Sequence, residues 1–122
     1  MGKKPLYYVL DKDKNPISCD DMIKINDLLS NYKAKVVART ELNNGIIVST
    51  VFLGIDHNFG EGPPILFETM VFNDVEASNE MERYTTWDEA EKGHKIMVKQ
   101  LKKEINKRKE DNKSENDTKE KR

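Results

Sequence analysis

From Glu41 through Glu82 the chain contains no Lys or Arg, although charged residues make up 35% of its 122 positions. Two strongly apolar segments lie in this stretch, 46–53 (IIVSTVFL) and 65–72 (ILFETMVF), on either side of the loop GIDHNFGEGPP (54–64). Segments this apolar are stable only when at least one face is buried, and the first is apolar on both faces. The rest of the chain has to fold around them. The core and the candidate site are therefore both expected in this cation-free waist.

The flanking sequence supplies the other elements. Leu6 to Leu10 read as a strand rich in Tyr and Val, closed by the polar turn DKDKNP (11–16). A helix is predicted from about Asp20 to Tyr32, where Met22, Ile25, Leu28, Leu29 and Tyr32 recur at helical spacing. Ser18 or Asp20 would cap it, and Asp20 and Asp21 suit its positive end. Residues 35–42 alternate, with Val36, Ala38 and Leu42 on one face and Val37, Arg39 and Glu41 on the other. Asn43-Asn44-Gly45 then tolerates the positive φ of a hairpin turn. Residues 73–82 are a polar excursion, and Arg83 to Thr85 add a short edge strand. Thr86-Trp87-Asp88-Glu89 fits a capping box. The last helix starts there, and its Trp87, Ala90, His94, Met97, Val98, Leu101 and Ile105 form one stripe for burial. The predicted fold class is α+β, an antiparallel β-sheet of about four or five strands with two helices on one face. The element order is β-α-β-β-β-α.

The length allows one small domain. Residues 107–122 (KRKEDNKSENDTKEKR) contain no apolar side chain, so they cannot offset their ordering entropy and read as a disordered tail after a domain of residues 1–106. The tail is +2 and residues 1–106 are −3, a balance unlike that of a dedicated nucleic-acid binder. Cys19 is the single cysteine, which excludes an intrachain disulfide and a Cys-based zinc site. No apolar run approaches the roughly 18 residues that span a bilayer, and the opening MGKKPLYYVL is too short in apolar residues for a signal peptide. A protein of the cytoplasm, without membrane contact, is expected.

Candidate site residues concentrate at the loop. Asp56, His57, Glu61 and Glu68, joined by His94, could ligate a divalent metal or act as general acid and base. The structural alternative, preferred here, has Asp56 and Asn58 organising loop backbone and His57 bonded to it, while Glu68 pairs with Arg39 or Arg83 across the sheet. Gly60-Glu61-Gly62 resembles a phosphate loop only superficially: a strand follows it, Pro63 and Pro64 remove donors, and no Lys is near. Phe59, on the loop between Asn58 and Gly60, is the aromatic residue expected to be exposed for a partner, whereas Phe52, Phe67, Phe72, Trp87, Tyr84 and Tyr32 are expected in the core. The basic end of the last helix, with Lys99, Lys102, Lys103, Lys107, Arg108 and Lys109, complements the helix dipole and reads as a solvated face. Asp88, Glu89 and Glu91 at the start of that helix exclude a double-stranded-RNA-binding arrangement, which would place Lys there.

The strings VSTVFLGIDHNFGEGPPILFETMVF (48–72) and RYTTWDEAEKGH (83–94), with the opening YYVLDKDKNPI (7–17), resemble a family of small proteins common in tailed phages and prophages. The resemblance covers roughly residues 7–98. It implies expression in a bacterial cytoplasm but carries no activity, cofactor or catalytic residue with it. Among such accessory proteins the first expectation is a non-enzymatic binding module, directed at a host factor or a small nucleotide-type ligand, in counter-defence and as a possible homo-oligomer. A nucleotide would require basic or aromatic groups brought to the loop, such as Arg39, Arg83 or Tyr84. The alternatives are a metal-dependent hydrolase or nuclease built on Asp56, His57 and Glu68, and an accessory role in virion assembly.

Overall fold

The computed structural model describes residues 4–73 and 77–120. Its centre is a four-stranded antiparallel sheet in sequential order, β3 (Val36–Glu41), β4 (Ile47–Phe52), β5 (Phe67–Phe72) and β6 (Ala77–Tyr84). A separate two-stranded hairpin, β1 (Tyr8–Leu10) and β2 (Pro16–Ser18), precedes it, followed by helices α1 (Met22–Leu29) and α2 (Tyr32–Lys35). Helix α3 (Trp87–Glu120) closes the fold, which is of the α+β class.

Both apolar segments of the waist become the central strands, each paired along both of its edges. Val48, Thr50 and Phe52 on β4 and Phe67, Thr69 and Val71 on β5 point to one side and are buried. The stripe of α3 lies against that side. Val48, Val71, Met97 and Leu101 form one buried cluster, and Phe52, Leu66, Phe67 and Ala90 form a second. Tyr8, Leu10 and Leu28 from the hairpin and α1 pack against the second cluster. Phe67 sits edge-on to Trp87, with centroids 6.2 Å apart. The capping box forms as predicted at its centre, where the Glu89 N–H donates to Thr86 Oγ1 at 3.1 Å. The Glu89 carboxylate accepts from the hydroxyls of Thr85 and Thr86.

Several elements differ from the sequence-based expectation. The predicted single helix over 20–32 is two, because Ser30 bonds back to Asn26 and Asn31 caps a new turn by accepting from the Ala34 N–H. Asp21, and neither Ser18 nor Asp20, is the cap of α1. Pro16, expected as the last residue of a turn, instead opens a strand with Ile17 and Ser18 that pairs with β1. A bulge between Val36 and Ala38 places these two residues on opposite faces, paired with Val51 and Thr50 respectively. The polar excursion at 73–82 lies partly outside the described residues, and from Ala77 onward it is already β6, longer than the edge strand expected at 83–85. Among the described side chains of α3, Ile105 is the last buried one, and those from Asn106 to Glu110 are all exposed. The helix itself runs on to Glu120, through most of the segment expected as a disordered tail.

Gly93, in the middle of α3, faces the Tyr84 ring so closely that an added Cβ would collide with the phenol. Gly93→Ala gains about 1 kcal/mol of helix propensity but forces Tyr84 out of place, an overpacking cost of about 1–3 kcal/mol. Thermal unfolding is expected to show a lower Tm for Gly93→Ala, and an unchanged one for the exposed neighbour Lys92→Ala. A raised Tm for Gly93→Ala would contradict the packing described.

Candidate functional site

The loop 54–64 is ordered by its own polar groups. Asp56 is 3% exposed, and its Oδ1 accepts from the backbone N–H of Asn58 at 2.7 Å and of Ile65 at 3.0 Å. Its Oδ2 meets Lys4 Nζ at 2.9 Å. Lys4 also donates to the carbonyls of Asn58 and Gly60, at 3.0 and 3.2 Å. Burial pushes the Asp56 carboxyl up, but the Lys4 ammonium and the two N–H groups outweigh it and hold the group below its ordinary 3.8. Asn58 spends its amide on the carbonyls of Glu61 and Pro63 and accepts from the Gly60 N–H. His57 Nδ1 bonds to the Ile55 carbonyl at 2.8 Å. The preferred structural reading of Asp56, Asn58 and His57 therefore describes the loop. Lys4 was missed, since no sequence signal links an N-terminal lysine to a loop some 50 residues away. Glu61 is exposed, and Phe59 is 86% exposed beside the His57 ring.

His94 and Tyr84 do not join the loop. They sit between α3 and the sheet in an unbroken chain of hydrogen bonds. Tyr84 donates to Thr69 at 3.1 Å, and Thr69 and Thr50 share a bond of 2.5 Å. Thr50 meets His94 Nδ1 at 2.8 Å, and His94 Nε2 meets Thr40 at 2.8 Å. Each hydroxyl carries one proton, so the arrangement that satisfies every group runs one way: Tyr84 to Thr69 to Thr50 to Nδ1. His94 is then the neutral Nε2–H tautomer, donating to Thr40. A second proton on the ring would face the Thr50 hydroxyl head-on and leave a buried donor without an acceptor. Burial accordingly lowers the His94 pKa below its ordinary 6.5, and burial raises the Tyr84 phenol above 10.0. The three threonines looked like ordinary strand residues in the sequence. Only the register of β3, β4 and β5 reveals them as partners.

Among the described residues no helix packs across the opposite face of the sheet, and α2 only borders it through Tyr32 and Lys35. The rows of that face follow from the register: Glu41, Ile47 and Phe72; then Arg39, Ser49, Met70 and Met81; then Val51, Glu68 and Arg83. Glu68 pairs with Arg83 at 3.0 Å, as the structural reading expected, and Arg39 pairs with Glu41 at 2.6 Å. Tyr32, from α2, reaches over the edge and bonds Ser49 at 3.0 Å. Between them lies a cavity of about 360 Å³ floored by Ile47, Val51, Met70 and Phe72 and rimmed by Lys35 and Arg39. Phe72 is 41% exposed there, and Met81 45%. Phe72 and Tyr32, expected in the core, thus belong to this face. Leaving Phe72 partly solvated has no packing rationale in the lone chain.

The ten candidate residues therefore divide among three places. Asp56, His57, Asn58, Phe59 and Glu61 shape the loop, Tyr84 and His94 lie under α3, and Arg39, Glu68 and Arg83 meet on the open face. Asp56 and Glu68 share no centre, each being held by its own cation. Among the described residues no group of three or more His, Cys, Asp or Glu side chains is placed to hold a metal ion. No helix of the described residues is long and apolar enough to cross a membrane. Comparison with protein-family models, curated proteins and solved structures returns no match.

Two outcomes follow from these contacts. Asp56→Ala strips an acceptor from two backbone N–H groups and is expected to lower the unfolding free energy by about 2–4 kcal/mol. Lys4→Ala should cost less, about 1–2 kcal/mol, because the Lys4 side chain keeps 35% exposure. Urea titration of both variants measures this, and equal losses would contradict it. His94 sets the pH dependence. Its folded pKa is depressed, so its stabilisation is complete above 6.5 and is lost as pH falls through and below that value. Unfolding free energy measured from pH 7.5 to 5 should fall for the wild type, and a slope unchanged in His94→Gln would contradict the assignment.

Proposed function

We propose that this protein is a non-enzymatic binding module whose binding surface is the uncovered face of the sheet. One observation carries this reading. Arg39, Glu68 and Arg83, expected from the sequence as partners across the sheet, lie on one face with an apolar floor of Ile47, Val51, Met70 and Phe72. An apolar centre with a polar rim is the anatomy of a binding patch, and paired charges at the rim contribute orientation more than affinity. The floor suits a planar apolar body. Lys35, which has no acidic partner among the described residues, and Arg39 on the rim suit an anionic group attached to it. A small nucleotide-type ligand has that chemistry, and so does an aromatic anchor from a host protein with an acidic neighbour.

The resemblance to small phage and prophage proteins supports a role in a bacterial cytoplasm, with a host factor or a host-made signal as target. Counter-defence is the concrete form of that role. The loop 54–64 then serves as a rigid flank that presents Phe59, and it holds the fold without taking part in chemistry.

Native mass spectrometry of the protein purified from a bacterial host, together with capture from the lysate, tests the reading. The wild type is expected to retain an adduct or a discrete partner. Phe72→Glu, which places a charge at a position already 41% exposed, should abolish retention while leaving Tm within about 4 °C, since such surface changes cost within about 0.5 kcal/mol. A wild type that is bare in both assays, or equal retention by Phe72→Glu, would overturn it.

A further inference from the structure

Strand β3 is an edge of the sheet, and no described residue pairs with its outer side. The Leu42 N–H donates inward to Ile46 at 2.7 Å, and in an antiparallel ladder this orientation alternates. Thr40 and Ala38 therefore also point inward to β4, while the N–H and C=O groups of Arg39 and Glu41 point outward. These groups form an unpaired main-chain edge, a ready template for another strand.

Beside this edge, on the α3 side, lies a cavity of about 390 Å³ lined by Thr40, Lys95, Lys99, Lys102 and Lys103. A second cavity of about 290 Å³ shares Lys102 and Asn106 with it and continues the groove past Glu41. The four lysines recur at helical spacing on the one flank of α3 that overhangs β3, and none has an acidic partner among the described residues. The helix runs on to Glu120, well past Lys103, so the dipole of its end does not explain why these gather over a strand edge. Thr40 lines the same cavity, and with the neutral Nε2–H tautomer of His94 donating to it at 2.8 Å its hydroxyl keeps a proton to donate.

We propose that the open edge of β3 takes up an extended protein segment bearing acidic side chains at alternate positions, as a fifth strand of the sheet. The main chain of the segment pairs with Arg39 and Glu41. Alternation sends every second side chain to the α3 side, where carboxylates meet the four lysines and the Thr40 hydroxyl, and the remainder to the open face beside the Arg39–Glu41 pair. Duplex nucleic acid fits this groove less well, because it offers no partner to the strand edge. The site is separate from the apolar floor and stands whether or not that floor binds.

A ten-residue peptide alternating Glu with Thr, acetylated and amidated, is the probe, compared with a copy N-methylated at every residue and with a ten-nucleotide single-stranded DNA. Both peptides carry the same charge, but the second cannot complete a ladder. The expected result is a shift of the Arg39 and Glu41 amide resonances on binding, with affinity on the order of tenfold weaker for the N-methylated copy. A similar loss is expected for the exposed double variant Lys99→Glu with Lys103→Glu. Failure of the plain peptide to bind, equal affinity of the two peptides, or unmoved Arg39 and Glu41 amides would each overturn strand addition. Tighter binding by the DNA would reassign the groove to nucleic acid.

Discussion

The packing of a single long helix against one side of a four-stranded sheet decides the rest of this molecule. Ala90, His94, Met97, Leu101 and Ile105 are buried by it, and the inward residues of β4 and β5 are buried in return. Among the described residues there is no second long helix for the other side: α1 and α2 end at Lys35, and Leu28 of α1 packs at the end of the same core. One face is therefore core and the other is surface, although β4 and β5 are apolar on both.

The hydroxyl chain fixes how that helix sits. A helix held by Leu and Met alone can slide by part of a turn at modest cost, whereas one His ring bonded at both nitrogens to two different strands cannot. Tyr84 ties β6 into the same chain, and the absence of a side chain at Gly93 gives its ring room against the helix. The polar groups are satisfied as a set: among the described residues no buried side-chain nitrogen or oxygen lacks a partner. This seam also positions the basic flank of α3 over the edge of β3, since Thr40 is its last member.

Much of this was legible in the sequence. Strongly apolar runs between turn residues gave β4 and β5, a period of 3.6 gave the buried stripe of α3, and Thr86 with Glu89 gave its start. The pairing of Glu68 with Arg83 followed from expecting a lone charge on a strand to be compensated. What escaped prediction was non-local or depended on a single residue. The bulge at Val37 cannot be read from alternation, because the extra residue is itself apolar. The break between α1 and α2 rests on Asn31, a side chain equally at home on a helix surface. Lys4 reaches Asp56 only because the N-terminal segment runs beside the loop, with the Asp56 N–H donating to the Leu6 carbonyl. The open face was legible in part: Glu68 was expected to pair with Arg39 or Arg83, but only the register puts them on one face with Ile47, Val51, Met70 and Phe72.

The central claim is that the face carrying Met70 and Met81 is open in the lone chain, and it is tested most directly by methyl NMR with a soluble paramagnetic agent. The Met70 and Met81 methyl signals are predicted to broaden strongly, while that of Met97, buried under α3, stays sharp. If Met70 and Met81 prove as protected as Met97 in dilute protein, the face is already covered, and the account of a one-sided sheet with a free binding surface is wrong.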